Sequence, residues 1–325
     1  MRAIGTYQRS SLVAVVLLVL ACLSPLAGDA YFLIFVTQLM VYGIFAMSLS
    51  LVWGYGGILC FGQAVYFGIG AYGYTLIVKG MVPGFSGVFA GSIPALFLAV
   101  VGAVLFAVII GYFLFYGRLS GPYLGIVTLA IAVIMERIAV NWYYIGGFNG
   151  LFNIPVFSAA GFEFIMPVHL FYLVLFISTV VYLGLTYMVE SPFGTILKAI
   201  RDNEIRAESF GFNSAQHKII TFAIGAGVAA ISGVLFAVTT EFVSPSLIGF
   251  GLSTEVLIWV ALGGKDIILA SFLGAILVRT LESYLSELMA HYWLLIIGLF
   301  FVIAVIVFPR GIFGKWLSPK QRHNS

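Results

Sequence analysis

Glu136 and Arg137 stand side by side in an otherwise apolar run, and Arg279 and Glu282 stand three apart in another. If these runs cross a membrane, such charges are where proton, ion or substrate chemistry would be carried. At the bilayer centre each charge costs ~2.5–3.5 kcal/mol, whereas the Leu, Ile and Val residues of 121–143 return only ~3–5 kcal/mol together. Glu136 lies ~6 Å from the midpoint of its run at the helical rise of 1.5 Å per residue. Adjacent helix residues point ~100° apart, so Glu136 and Arg137 do not pair head-on. Glu136 therefore reads either as a lining of a transport path or as one half of a buried interhelical ion pair. Arg279 and Glu282 share a helix face and read as a local ion pair. Glu241 and Glu255 end and open neighbouring runs and read as interface residues.

Other chemistry is excluded. His169, His217, His291 and His323 are scattered, and Cys22 and Cys60 both lie in apolar runs. That leaves no metal-ligand spacing, no disulfide framework and no Ser/His/Asp or Cys/His constellation. Gly264-Lys265 resembles the end of a phosphate loop. The position that needs the first glycine is Trp259, however, and the residue after the lysine is Asp266. No cofactor is expected on this chain.

The elements that must position these residues follow from composition. Of the 325 residues 62% are hydrophobic and 8% charged, with a mean hydropathy of +1.14. A soluble domain carries about 25% charged residues. A net charge of +3 is too small for a nucleic-acid partner. The expected fold class is all-α: a polytopic integral membrane helical bundle in a lipid bilayer, a single transmembrane domain over 1–325. A crossing needs ~20 apolar residues. Ten candidates are 11–27, 30–53, 58–78, 88–116, 121–143, 168–189, 217–240, 251–262, 267–285 and 291–308. The segment 251–262 is short enough to be a half-helix. The main polar intervals are 144–167, expected outside, and 190–216, expected inside.

With both termini cytoplasmic, all of the 15 basic residues except Lys79, Arg137 and Arg279 fall inside. Trp142 and Trp293 then lie at the outer interface, Trp53 and Trp316 at the inner one. The first segment also fits a secretory signal, with Arg2 and Arg9 before an apolar run and Ala21-Cys22 at its end.

In 191–213 an amphipathic helix is expected. Ser191 is placed to cap it, Pro192 suits its first position and Gly211 its end. Phe193, Ile196, Leu197, Ile200, Ala207 and Phe210 form its stripe, with a gap at Asn203 and Glu204. Acidic and basic residues balance over 190–218. That suits a protein partner better than anionic lipid, the remaining reading being a solvated loop helix.

Glycine recurs where two apolar runs are interrupted, at 54–57 and 263–264. Trp53/Trp259, Gly57/Gly264 and Gly70/Gly274 correspond at drifting offsets. Paired interrupted segments are the mark of transporters built from inverted repeats, with the path at the repeat interface. Gln63, the uncharged amide here, must find a partner in another helix or in passing substrate. Gly225, Ala229, Gly233 and Ala237 recur every four residues as a groove for a neighbouring helix.

Five stretches make the chain resemble the membrane permeases of ATP-binding-cassette importers for branched-chain amino acids, specifically the second of the paired permeases. They are 53–72, Phe115-Tyr-Gly-Arg-Leu-Ser-Gly-Pro-Tyr-Leu-Gly125, 191–213, 258–265 and Phe308-Pro-Arg-Gly-Ile312. Urea and short-amide permeases share most of these stretches. The resemblance implies a second permease subunit as a heterodimeric partner, two cytoplasmic ATPases carrying ATP and Mg, and an extracytoplasmic solute-binding protein. It also implies the bacterial cytoplasmic (inner) membrane. It makes 191–213 the coupling region, with Arg201, Asp202, Asn203, Glu204, Ala207 and Gly211 toward the ATPase. Gly56, Gly57, Phe61, Gln63, Glu136, Gly263 and Gly264 are the candidates for the path. The family often has His where Gln63 stands. A urea or amide importer, or a self-sufficient secondary transporter or channel, are the competing readings.

Overall fold

Every long apolar run in the described chain becomes a helix, because only internally bonded backbone is tolerated in lipid. The structure is a computed structural model that describes residues 2–26, 29–82, 91–159, 161–288, 298 and 311–317. Its helices are α1 (Arg2–Leu23), α2 (Ala30–Leu49), α3 (Gln63–Val78), α4 (Ser92–Tyr116), α5 (Pro122–Asn141) and α6 (Pro167–Glu190). They continue as α7 (Pro192–Asp202), α8 (Glu204–Ser209), α9 (Ser214–Thr240), α10 (Phe250–Gly263), α11 (Ile268–Leu288) and α12 (Ile312–Leu317). Four two-residue strands, β1 (Leu151–Phe152), β2 (Ser158–Ala159), β3 (Phe162–Glu163) and β4 (Phe242–Val243), form two antiparallel pairs. In them Leu151 faces Val243 and Ser158 faces Glu163.

Among the described residues 6 helices are long and apolar enough to cross a membrane. They are Ala30–Tyr55, Ser92–Tyr116, Pro122–Asn141, Pro167–Glu190, Ser214–Thr240 and Ile268–Ser286. The expected segments at 11–27, 58–78 and 251–262 are helical too, but their apolar helices are shorter. The tenth, 291–308, lies outside the described residues. The third segment starts at Gln63, later than expected at 58, because the chain between Gly56 and Gly62 is not helical. Instead α2 runs on as a π-helix over Ser50–Tyr55. With 14 residues α10 is ~21 Å long, shorter than the ~30 Å hydrocarbon layer. It is therefore a half-helix.

The bundle is centred on α2 and α9. In their apolar stretches 72% and 78% of residues are buried, against 22% in α4 and 28% in α5 and α6, which form the rim. The small-residue groove of α9 explains this. A Cβ at Gly233 would run into the Phe67 carbonyl of α3, and one at Gly225 into Val52 of the π-helical segment. Backbones approach closely where lipid gives no hydrophobic drive of its own.

The connections sort into two ends. At one, Lys79 and Met81 after α3, the 142–166 loop after α5 and β4 after α9 meet. There Lys79 and Tyr144 donate to the carbonyls of Phe152 and Met81, and β1 pairs with β4. At the other, 50–62, 115–121, 190–214, 263–267 and 311–317 come together. This is the end that the sequence fills with lysine and arginine, called here the basic face.

Candidate functional site

At the basic face two interrupted helices end against each other. The π-helical segment is closed by Gly56 N–H to Leu51 O (3.0 Å) and Gly57 N–H to Trp53 O (3.1 Å), and Gly57 turns out at φ +65°. On the other side α10 ends with Gly264 N–H to Val260 O (2.9 Å), Gly264 lying at φ +125°. The two ends lock together. Ser50 Oγ donates to Lys265 O (3.0 Å) and Tyr55 OH to Asp266 O (2.7 Å). The Lys265 carbonyl sits where a Cβ of Gly54 would be, so only glycine fits there. Gly311, before α12, packs its backbone on Gly264. The Lys265 ammonium lies 5.0 Å from the centre of the Trp53 ring.

Helix α7 attaches to this junction through Arg201. Its Nη1 donates to the Gly54 carbonyl and lies 3.1 Å from Asp266 Oδ1, while Nε reaches Asp202 Oδ1 at 3.2 Å. A Cβ at Gly57 would meet the Arg201 side chain at 2.7 Å. One guanidinium thus touches both interrupted helices. Lys198 lies 5.3 Å from the centre of the Tyr55 ring. A cavity of about 240 Å³ between Gly56, Gly57, Leu119, Ile200, Arg201 and Asn203 opens beside it.

The single amphipathic helix expected over 191–211 is two helices. Asn203 is extended (φ −159°), and its side chain accepts from Arg206 N–H at 2.9 Å, capping α8. Asn side chains favour caps over helix interiors, which explains the gap in the apolar stripe. Ser191 does occupy the N-cap position, yet its hydroxyl bonds back to Met188 O (2.6 Å). Gly194, Leu197 and Ile200 face the bundle, and Gly194 packs on the Val189 backbone. Ala207 is buried, and Gly211 turns at φ +87° after α8. Phe210, expected on the buried stripe, is instead 75% exposed next to Ile205 at 80%. The turn at Asn203 rotates the second helix away.

Glu204 bonds Lys218 of α9 at 2.6 Å. Burial pushes its carboxyl up, but the hydrogen bonds from Lys218 and Ser214 and the charges of Lys218 and Arg118 outweigh this and hold it below the usual carboxylate value. Between α8, α9 and the turn holding Arg118 lies a wider cavity of about 690 Å³. No group of His, Cys, Asp and Glu that could hold a metal ion exists among the described residues.

Over residues 31–305 the chain matches the family described as the permease component of the branched-chain amino acid transport system. It belongs to that family. It is 30% identical over 333 residues to the high-affinity branched-chain amino acid transport system permease protein LivM of Escherichia coli K12, covering 95% of this chain and 76% of that one. The probable branched-chain amino acid transport permease LivM of Methanocaldococcus jannaschii is 29% identical, over 69% of this chain and 72% of its own. The E. coli permease LivH is 27% identical over 41% of this chain and 44% of its own. No solved structure matches. The chain is thus a multi-pass membrane permease.

In the permease the seven path candidates do not form one surface. Gly56 and Gly57 line the cavity beside Arg201. Gly263 and Gly264 pack against Ala270, Gly274 and Gly311. Phe61 lies on Gly125, and its N–H donates to Thr128 Oγ1 at 3.1 Å. Gln63 is fully buried and donates to Ser48 Oγ (3.1 Å) and Gly225 O (3.3 Å), so it joins α2, α3 and α9. Its Nε2 thus finds partners on two other helices, while its Oε1 is buried with no hydrogen-bond partner among the described residues. Glu136 lies near the opposite end, its carboxylate against Gly249 just before α10. No ion pair joins it to another described residue, whereas Arg279 and Glu282 pair at 2.7 Å as expected.

The ends of α2 and α10 meet at the same face, so the segments around Gly57 and Gly264 run in the same direction. That pairing therefore supplies no inversion. The sequence reading does not single out Gly54, Asp266 or Lys218 as site residues. They lie 147, 65 and 14 positions from their partners, and no local periodicity signals such contacts.

Proposed function

We propose that this permease is the membrane subunit of an ATP-driven importer of branched-chain amino acids in the bacterial cytoplasmic membrane, with the basic face cytoplasmic. A second permease subunit completes the path, an extracytoplasmic binding protein delivers substrate, and two ATPase subunits carry ATP and Mg. The relatives' names support branched-chain amino acids over urea as cargo. Excess lysine and arginine at one face supports the orientation. The whole chain reads as a single permease domain.

The observation that carries the coupling role is the triple contact of Arg201 with Gly54, Gly57 and Asp266. A partner that moves α7 moves the ends of α2 and α10 together, because the guanidinium links both. Ile205 and Phe210 present the apolar surface that such a partner would cover. Arg201, Asp202, Asn203, Glu204, Ala207 and Gly211 form this coupling segment, of which Arg201 faces the bundle. Gly56, Gly57, Gly263 and Gly264 act in the path as the joints of its inner end. Phe61 and Gln63 brace those joints, and Glu136 serves at the outer entrance of α10.

The test is uptake of labelled leucine into proteoliposomes holding both permeases, with ATPases and binding protein supplied. Uptake is expected only with ATP and all components. Uptake that persists without the ATPases overturns the proposal.

A further inference from the structure

Two helices bring charges to one point, beside the Tyr42 ring of a third. Arg279 of α11 lies 2.7 Å from Glu282 of the same helix and 3.5 Å from Glu255 of α10. Its guanidinium carbon is 4.1 Å from the centre of the Tyr42 ring of α2 and 5.5 Å from that of Trp259 of α10. The side chains of Arg279, Glu282 and Glu255 are 22%, 16% and 41% exposed. One guanidinium faces two carboxylates, which leaves one negative charge in excess. No second cation pairs with either carboxylate among the described residues. An uncompensated charge at this depth is expensive and, in membrane proteins, marks a functional site.

Above the cluster lies a cavity of about 330 Å³ between α2 and α11. Arg279, Glu282 and Tyr42 form its floor and Tyr31 and Ser286 its rim. From residue 31 to 42 α2 rises ~16 Å, so the cavity runs from the outer end of the helix to near mid-membrane. Its volume is at the small end of ligand pockets, which start near ~300 Å³. Its walls are amphipathic. Gln38, Ser283 and Ser286 offer an amide and two hydroxyls, while Phe35 and Leu39 offer apolar surface.

We propose that this cavity is a receiving site for a small amino acid, in which Glu282 holds the substrate's α-ammonium while Glu255, outside the cavity, shares the Arg279 guanidinium. The ammonium supplies the missing positive charge, Gln38, Ser283 and Ser286 take the carboxylate, and Phe35 and Leu39 take the alkyl side chain. An outward-opening pocket with the Glu282 carboxylate in its floor, backed by the excess negative charge of the cluster, accepts the zwitterion and rejects the same molecule without its amine. The assignment rests on the importer reading above and adds a substrate site within this chain.

The experiment uses the assembled transporter in lipid nanodiscs, without binding protein, and equilibrium dialysis of L-leucine, isoamylamine and 4-methylpentanoate. Leucine and isoamylamine are expected to bind and 4-methylpentanoate is not. Glu282→Gln is expected to weaken both by about tenfold or more, as removal of one partner of a buried charged contact does. Ser283→Phe fills the cavity without removing any charge of the ion cluster and is expected to do the same, which keeps the test decisive if Glu282→Gln does not fold. Wild-type protein that binds no leucine, a carboxylate that binds as well as the amine, or Ser283→Phe that binds like wild type each overturns the site. Uptake with ATP and binding protein, measured on the same preparation, separates the two proposals. If uptake is intact and binding absent, only this site falls; if uptake is absent in every arm, the importer reading falls.

Discussion

Asp266 accepts a hydrogen bond from the Arg201 guanidinium at 3.1 Å across 65 positions of sequence. The contact ties a short amphipathic helix at the basic face to the turn that ends a half-helix in the bundle. The same guanidinium holds the Gly54 carbonyl, so the ends of α2 and α10 share one clamp. The Arg201 side chain is 31% exposed, and a surface pair of that kind adds only ~0–1 kcal/mol to stability. Its value lies in geometry. It joins α7 directly to the ends of both interrupted helices.

If α7 couples the ATPases to the path as proposed, charge reversal at the clamp separates the two. Arg201→Glu is expected to lower uptake by about tenfold or more, within the usual ~1–3 kcal/mol of coupling between sites, while ATP hydrolysis persists and the protein stays folded. Parallel ATPase and uptake assays on the reconstituted complex check this. Full uptake by Arg201→Glu counts against the clamp.

The exposed apolar pair of α8 predicts a second effect. Ile205→Ser with Phe210→Ser is expected to weaken ATPase association by about tenfold or more, as loss of apolar anchors at an interface does. The melting temperature should stay unchanged, since both side chains face solvent. Co-purification at graded ATPase concentrations reads the first quantity and thermal unfolding the second.

Glu204 makes the coupling segment sensitive to acid. Its carboxyl is held below the ordinary value, so the attachment to Lys218 is fully present above that value and is lost as pH falls through the lowered one. Protection of the 204–209 amides, taken as the exchange rate relative to the intrinsic rate at each pH, should hold from neutral pH through the ordinary carboxylate range and fall only in stronger acid. In Glu204→Gln this acid-dependent loss should disappear, and protection that is equally pH-dependent there would refute the assignment.

Glycine positions differ in what they tolerate. Gly233→Ala drives a methyl into the Phe67 backbone and is expected to destabilise by about 1–3 kcal/mol, as overpacking does. Gly184→Ala meets nothing within 4 Å and should be neutral or gain about 0.5–1 kcal/mol of helix stability. Thermal unfolding of the two variants in one detergent compares them directly.

Gln63→Leu extends the same logic to a polar contact. The amide spans Ser48 and Gly225, so its loss should cost ~1 kcal/mol of stability, and uptake per folded molecule should be retained. Uptake that falls while the melting temperature holds would restore a path role for Gln63.

The sequence by itself determined the class of protein, its helical build, the two ends of the bundle and the family. Scarce charge admits only lipid as solvent, apolar run length sets the helices, and lysine and arginine mark one face. The glycine spacing in 225–237 also announced a close crossing, because a small-residue stripe has one packing consequence in a bilayer. The tertiary structure decided which residues act together. Arg201 with Gly54 and Asp266, Glu204 with Lys218, and Arg279 with Glu255 all join separate elements, and such contacts leave no period in the chain. It also split 191–211 at Asn203, where a side-chain cap outweighed the apolar stripe. Finally, it gave the two glycine interruptions the same direction, since direction depends on which ends meet in space.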